Sequence, residues 1–183
     1  MEIKHSKFAI CAIASPLEKN YLDEWVSYHK KIGVEAFFIC TNGWDWDTKA
    51  EGVYTTRIDG RNKQCEYYTE FTHEMATLVD WCAYIDIDEF IKLGSRHKSV
   101  LDLVNDNPHV DSIMLNWRLF GSSGKHFDGD YSVLKRFTMR QKGFNKHLKQ
   151  ILNLGKLKSF GDDKRIFFRC PHCAFLNAQY VLN

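Results

Sequence analysis

Two largely apolar runs, Phe8–Ala14 and Val34–Cys40, the second interrupted only by Glu35, constrain the fold more than any other feature of the chain. A strand wetted on one face alternates apolar and polar side chains, whereas an unbroken apolar run is expected where both faces are covered. The segment between the runs reads as helix. Ser15 is a good N-cap, Pro16 suits the first helical position, and Glu18 completes a capping box. Leu17, Tyr21, Leu22, Trp25, Tyr28, His29 and Ile32 recur at helical spacing, and Gly33 is a stop signal. Two buried strands joined by a helix imply a parallel crossover.

The pattern continues. Val34–Cys40 ends at Thr41-Asn42-Gly43, and a third strand is expected at Val53–Ile58, ending at Asp59-Gly60. Residues 62–79 read as a helix with Cys65, Tyr68, Phe71, Met75 and Leu78 or Val79 on one face, and Trp81–Ile87 reads as a fourth strand. The fold class is therefore α/β, with a mostly parallel central sheet and helices on both faces. The second half is more irregular: a short helix at Ser99–Asn105, then strands at Ser112–Trp117, Val133–Arg140, Leu148–Leu154 and Arg165–Arg169.

A chain of 183 residues holds one domain. Its composition, 44% hydrophobic and 26% charged with three prolines, excludes collagen-like and low-complexity classes. The longest apolar runs, such as Ala36–Cys40, are too short to cross a bilayer, and no secretory leader is expected from the N-terminal residues. The formal net charge of +2 argues against nucleic acid as a partner. Basic residues thicken after residue 135: Lys135, Arg136, Arg140, Lys142, Lys146, Lys149, Lys156 and Lys158. They form either a solvated face or a surface for an anionic ligand.

Cys11, Cys40 and Cys82 lie within apolar runs, where a free thiol acts as a small hydrophobe, so a reducing compartment is expected. Cys170-Pro171-His172-Cys173 resembles the active-site tetrapeptide of thioredoxin-fold oxidoreductases. That site opens a helix early in its domain, however, and here only ten residues follow Cys173. No second ligand pair stands at zinc-finger spacing.

The most informative motif is Asp86-Ile87-Asp88-Glu89. If the fourth strand runs through Ile87, Asp86 and Asp88 point to the same face. Two converging carboxylates repel each other, and a hard divalent cation such as Mg2+ or Mn2+ relieves the repulsion. Ligands of open α/β sheets bind beyond the carboxyl ends of the strands, a crevice bordered here by Ala14-Ser15, Asn42, Asp59 and Asp86.

Several blocks resemble the GT-A glycosyltransferases of the family 2-like and family 92 group. The first is Glu18-Lys19-Asn20-Tyr21-Leu22-Asp23-Glu24-Trp25, with Tyr28-His29 and Gly33-Val34. Asp80 through Phe90 resembles the D-x-D block, and Trp117 through Gly124 a third block. Lys149 with Ile151, and Pro171-His172, resemble the last ones. The resemblance implies a GT-A fold over 1–183, with a donor-binding half over roughly residues 1–92 and an acceptor half over roughly 93–183. It also implies a nucleotide-sugar donor, and Asp86, Asp88 and His172 holding Mn2+ or Mg2+ against the donor diphosphate.

Ala14, Ser15, Asn42, Gln64, Asp86 and Lys149 are the expected donor-binding residues; Tyr68 reads equally as donor-facing or core. Trp117 and Phe120 suit a wall against which a saccharide acceptor stacks. Glu89, Asp128 and Asp130 are the candidates for a catalytic base in an inverting transfer, and the residues do not choose among them. The family analogy extends to a glycan or lipid-linked acceptor of cell-surface polysaccharide synthesis, with the enzyme cytoplasmic or in peripheral contact with the inner face of a membrane. Two other readings stand beside it: a non-catalytic nucleotide-sugar or glycan-binding module on the same fold, and a metal-dependent phosphohydrolase. The chain stops soon after His172, where a further acceptor-covering segment is expected.

Overall fold

The computed structural model describes residues 3–60, 62–122, 124, 132–157, 166–171, 173–176 and 179–180. In chain order the first half runs β1 (Ser6–Ala14), a 3-10 turn (Pro16–Tyr21), α1 (Leu22–Lys31), β2 (Ala36–Asn42), β3 (Val53–Ile58), α2 (Gln64–Met75) and β4 (Val79–Tyr84). The second half runs α3 (Val100–Asn105), β5 (Ser112–Asn116), β6 (Phe120–Gly121), α4 (Val133–Arg136), β7 (Met139–Arg140) and β8 (Leu148–Asn153). It ends with α5 (Leu154–Leu157), β9 (Ile166–Cys170), β10 (Cys173–Leu176) and β11 (Gln179–Tyr180).

Among the described residues the central sheet has the order β3-β2-β1-β4-β8-β5. β1 to β4 are mutually parallel where they pair, β8 is antiparallel to β4, and β5 is antiparallel to β8. The carboxyl ends of β1 to β5 therefore share one edge. The result is an α/β architecture with a mostly parallel, mixed sheet.

Side-chain alternation along β1 divides the core into two layers. Phe8, Ile10 and Ala12 pack with Phe37 and Ile39 of β2, Leu22, Trp25 and Val26 of α1, and Val100 and Val104 of α3. Ala9 and Cys11 face the other way, toward Phe38, Cys82 and Tyr84, under Tyr68 and Phe71 of α2. Phe168 and Ala174 of the β9–β10 hairpin complete that second layer. Helices thus cover both faces, as unalternating strands require. At Gly33 the backbone turns left-handed at φ +95°, and its N–H closes on the Lys30 carbonyl at 3.0 Å, which ends α1.

Five expectations need correction. Leu17 is not on the buried face: the chain from Pro16 forms a 3-10 turn, which changes the angular spacing and leaves Leu17 87% exposed. The second helix stops at Met75, and Val79 opens β4 as a buried residue. β4 ends at Tyr84, not Ile87, because the Asp86–Glu89 backbone bonds within its own turn. Val133–Arg140 is not one strand. Ser132 Oγ accepts from Lys135 N–H, and Glu24 of α1 takes the Ser132 hydroxyl at 2.6 Å and the Val133 N–H at 2.7 Å. That cap folds Val133–Arg136 into a helical turn, and only Met139–Arg140 pairs as strand. Leu154 leaves β8 and opens α5.

The Cys170–Cys173 segment is the reversal between two antiparallel strands, with Cys170 paired opposite Cys173. It opens no helix, in keeping with the reading that set the thioredoxin analogy aside.

Candidate functional site

The site is built where β4 gives out. Tyr84 pairs with Gln150 of β8, so Lys149 is the next β8 residue toward the carboxyl edge, level with the start of the Asp86 turn. Lys149 is 2% exposed, and its Nζ donates to Asp86 Oδ2 at 2.8 Å and lies 3.5 Å from Glu89 Oε2. Gln64, the first residue of α2, donates from Nε2 to Asp86 Oδ1 at 2.9 Å and to the Tyr68 hydroxyl at 3.0 Å. Each Asp86 oxygen thus has its own donor. The turn is closed reciprocally, with Asp86 N–H donating to Glu89 Oε2 at 2.9 Å and Glu89 N–H to the Asp86 carbonyl at 3.1 Å.

Carboxylates outnumber the buried cation. Burial pushes the Glu89 carboxyl up to about 7; Lys149 opposes that rise, while Asp86 and Asp88 add to it. Asp88 is raised by desolvation and then by Asp86, and it stands at the exposed rim. Glu18 is raised by burial and, more weakly, by Asp88 and Asp86, while its carboxylate accepts the Ser15 N–H at 2.6 Å. The capping box at the start of the first helical segment therefore brings a fourth carboxyl group into the electrostatic field of the cluster.

Side chains of α1 hold the other end of the turn. Trp25 Nε1 donates to the Glu89 carbonyl at 2.8 Å, and the Tyr28 hydroxyl donates to the Ile91 carbonyl at 2.9 Å. His29 accepts the Ile91 N–H on Nε2 at 3.2 Å and donates from Nδ1 to the Trp25 carbonyl at 2.8 Å. That pair of bonds defines a neutral imidazole, and burial lowers its pKa to about 4. Phe90 stacks on it at 5.8 Å between ring centroids. The sequence gives no sign of these clamps: Trp25, Tyr28 and His29 stand there on a helical apolar face and in a block of family resemblance, and each polar partner lies more than sixty residues away or on the helix itself.

Gln64, Asp86, Glu89 and Lys149 are joined directly; Asp88 adjoins them, and Trp117 stands with its ring 5.7 Å from Lys149 Nζ. Trp117 also packs on His147 at 5.1 Å. Ser15 reaches the cluster through Glu18. Other expected residues lie apart. Ala14 is fully buried and its carbonyl accepts from Trp44 Nε1 at 3.0 Å, so the indole of Trp44 is what stands at the tip of β1. Asn42 donates to the Gly60 carbonyl at 2.9 Å, across the β3 end of the sheet. Tyr68 is core, fully buried against Tyr84 and Phe168, and it meets the cluster only through its hydroxyl, which accepts from Gln64 Nε2. Phe120 is 48% exposed on β6. Asp128, Asp130 and His172 lie outside the described residues.

Asp86 and Asp88 offer hard oxygen donors in a cluster richer in carboxylates than in cations, which suits a divalent metal in kind. Among the described residues no group of three His, Cys, Asp or Glu side chains is arranged to hold an ion. Mg2+ sites commonly use only one or two carboxylates beside substrate phosphates and water, so Asp86 and Asp88 are the residues that could hold such an ion.

No family model matches the chain. Two curated proteins do. A glycosyltransferase family 92 protein of Ricinus communis is 28% identical over 138 residues, covering 67% of this chain. A glycosyltransferase family 92 protein of Oryza sativa subsp. japonica is 26% identical over 143 residues, covering 71%. The chain spans 24% of the length of each of these relatives. Over about two thirds of its residues, then, the chain is similar to glycosyltransferase family 92 proteins, which supports a glycosyltransferase.

Proposed function

We propose that the chain is the GT-A-like core of a metal-dependent glycosyltransferase that takes a nucleotide-diphosphate sugar, with uridine diphosphate as the nucleotide. The observation that carries this reading is the Gln64–Asp86–Lys149–Glu89 network at the carboxyl edge of the parallel sheet, where open α/β proteins bind ligands. The similarity to family 92 proteins supports the same reaction class.

In this reading Asp86 and Asp88 are the residues that would hold Mn2+ or Mg2+. Such an ion would supply charge neutralisation for a departing nucleoside diphosphate. Gln64 and Lys149 fix the rotamer of Asp86, so the carboxylate need not reorganise when ligand arrives. Lys149 was expected to meet a donor phosphate; buried beneath Asp86 and Glu89, it serves the donor through Asp86. Glu89 has a pKa near 7, suited to moving a proton at neutral pH, but its Oε2 closes the turn. That engagement makes it a positioning residue and leaves Asp128 or Asp130 as the base. Trp117 forms the acceptor wall next to Lys149. The finer terms come from the family analogy: inversion at the anomeric carbon, a glycan or lipid-linked saccharide acceptor, and cytoplasmic cell-surface polysaccharide synthesis.

A thermal-shift screen of nucleotide sugars with and without Mn2+ tests the reading. Uridine diphosphate and Mn2+ together raise the melting temperature, and Asp88→Asn abolishes the rise. Absence of a shift with every nucleoside diphosphate and metal pair contradicts it. Binding without sugar transfer or donor hydrolysis across an acceptor panel points instead to the non-catalytic module.

A further inference from the structure

Beyond the sheet, the chains of β5 and β8 continue together as a ribbon. Trp117 N–H donates to the His147 carbonyl at 3.1 Å, Asn145 N–H to Trp117 at 2.9 Å, and Gln141 N–H to Leu119 at 2.9 Å. The β6–β7 pair then sets Phe120 opposite Arg140 and Gly121 opposite Met139. The ribbon leaves from the carboxyl end of β5, the edge that also carries Asp86 and Lys149.

Its apolar side chains are in water. Leu119 is 44% exposed, Phe120 48%, Met139 66% and Phe144 64%, four of the six large hydrophobics exposed among the described residues. Apolar side chains scattered singly need no explanation, but four on one projecting ribbon do. They lie on both faces: Phe120 shares a face with Arg140, while Met139 and Leu119 share the opposite one. The same stretches carry Arg118, Arg140, Lys142 and Lys146, with no Asp or Glu in 117–122 or 137–149. That excess is local, because the whole chain is only +2. The Arg118 guanidinium lies 3.9 Å over the Phe144 ring, so cation and aromatic face are presented together.

We infer that this ribbon docks the protein on an anionic lipid bilayer. A soluble polyanion answers the arginines and lysines but leaves the apolar side chains wet. A protein surface laid on one face leaves the other exposed. A bilayer interface offers anionic headgroups and apolar depth on all sides of an inserted ribbon. Where the transferase reading holds, docking turns the edge bearing Asp86 toward a lipid-linked acceptor. That orientation rests on the proposed function; the docking itself does not.

The test is flotation of the purified full chain with vesicles, without metal or nucleotide, so failure here leaves the transferase reading untouched. The chain floats with vesicles of about three parts phosphatidylcholine to one part phosphatidylglycerol at low salt, and binding weakens with added salt. The pair Met139→Ser and Phe144→Ser, and separately Arg140→Gln with Lys142→Gln, each lower binding about tenfold with an unchanged melting temperature. Absence of anionic-vesicle binding overturns the inference, as does equal binding to pure phosphatidylcholine or indifference to both pairs of substitutions. Binding to a soluble polyanionic glycan but not to vesicles, or ribbon-dependent self-association without vesicle binding, also overturns it.

Discussion

The seven residues after β4 are held at both ends by buried nitrogen-bearing side chains, but the two ends work in opposite ways. At Asp86–Glu89 a lysine ammonium sits beneath carboxylates, and the rim above it is open to water at Asp88. At Glu89–Ile91 a neutral histidine and an indole hold backbone groups, with His29 and Trp25 fully buried. Charge held in a rigid place suits ligand binding; neutral hydrogen bonds in the core make the place rigid. The first end is electrostatically unfinished, since carboxylates outnumber cations, and the second is complete. One turn thus carries a charge cluster with surplus carboxylates at one end, while neutral hydrogen bonds in the core complete the other.

The comparison can be broken most forcefully at Lys149. Lys149→Met leaves Asp86 and Glu89 without their buried cation and is expected to cost about 3–4 kcal/mol in urea unfolding, with Mn2+ recovering part of the loss. A cost near zero shows that the pair is not stabilising.

The pH dependence separates the ends by sign. His29 has its folded pKa lowered to about 4, below its unfolded value of 6.5. The unfolded chain binds its proton first, so this contribution is complete above pH 6.5 and is lost as pH falls toward 4, about 3 kcal/mol in all. His29→Leu removes this acid-side loss. Glu89 is raised to about 7 from 4.5, so its contribution is complete below pH 4.5 and declines as pH rises to 7. In chelator-treated protein, Glu89→Gln flattens that neutral-side decline by about 2 kcal/mol, less than the full shift because the side chain is 20% exposed. Unfolding curves collected across pH check both, and a shared sign contradicts the assignment. The smallest effect is Trp25→Phe, which leaves the Glu89 carbonyl without its indole donor and costs about 1 kcal/mol.

What was legible in the sequence follows the range of the forces involved. Phe8–Ala14, Val53–Ile58 and the short helix at Ser99–Asn105 are legible from their local sequence, and the structure places elements there. The Asp86–Glu89 motif was legible as a cluster, but for a reason that fails: no strand alternation aligns Asp86 and Asp88, because β4 ends at Tyr84 and a turn carries them. Val133–Arg140 read as strand because its side chains favour one; the cap that overrides them comes from Glu24, more than a hundred residues earlier. Lys149 read as solvated or phosphate-binding, since nothing near it in the chain reveals a carboxylate 63 positions away.

The most direct measurement is a Mn2+ titration followed by electron paramagnetic resonance of the free ion, with and without uridine diphosphate. The protein and nucleotide together deplete free Mn2+ beyond what nucleotide alone does, Asp88→Asn restores the free signal, and Trp25→Phe weakens depletion only slightly. Depletion that is indifferent to Asp88, or none beyond the nucleotide's own, contradicts a metal–diphosphate site on this turn.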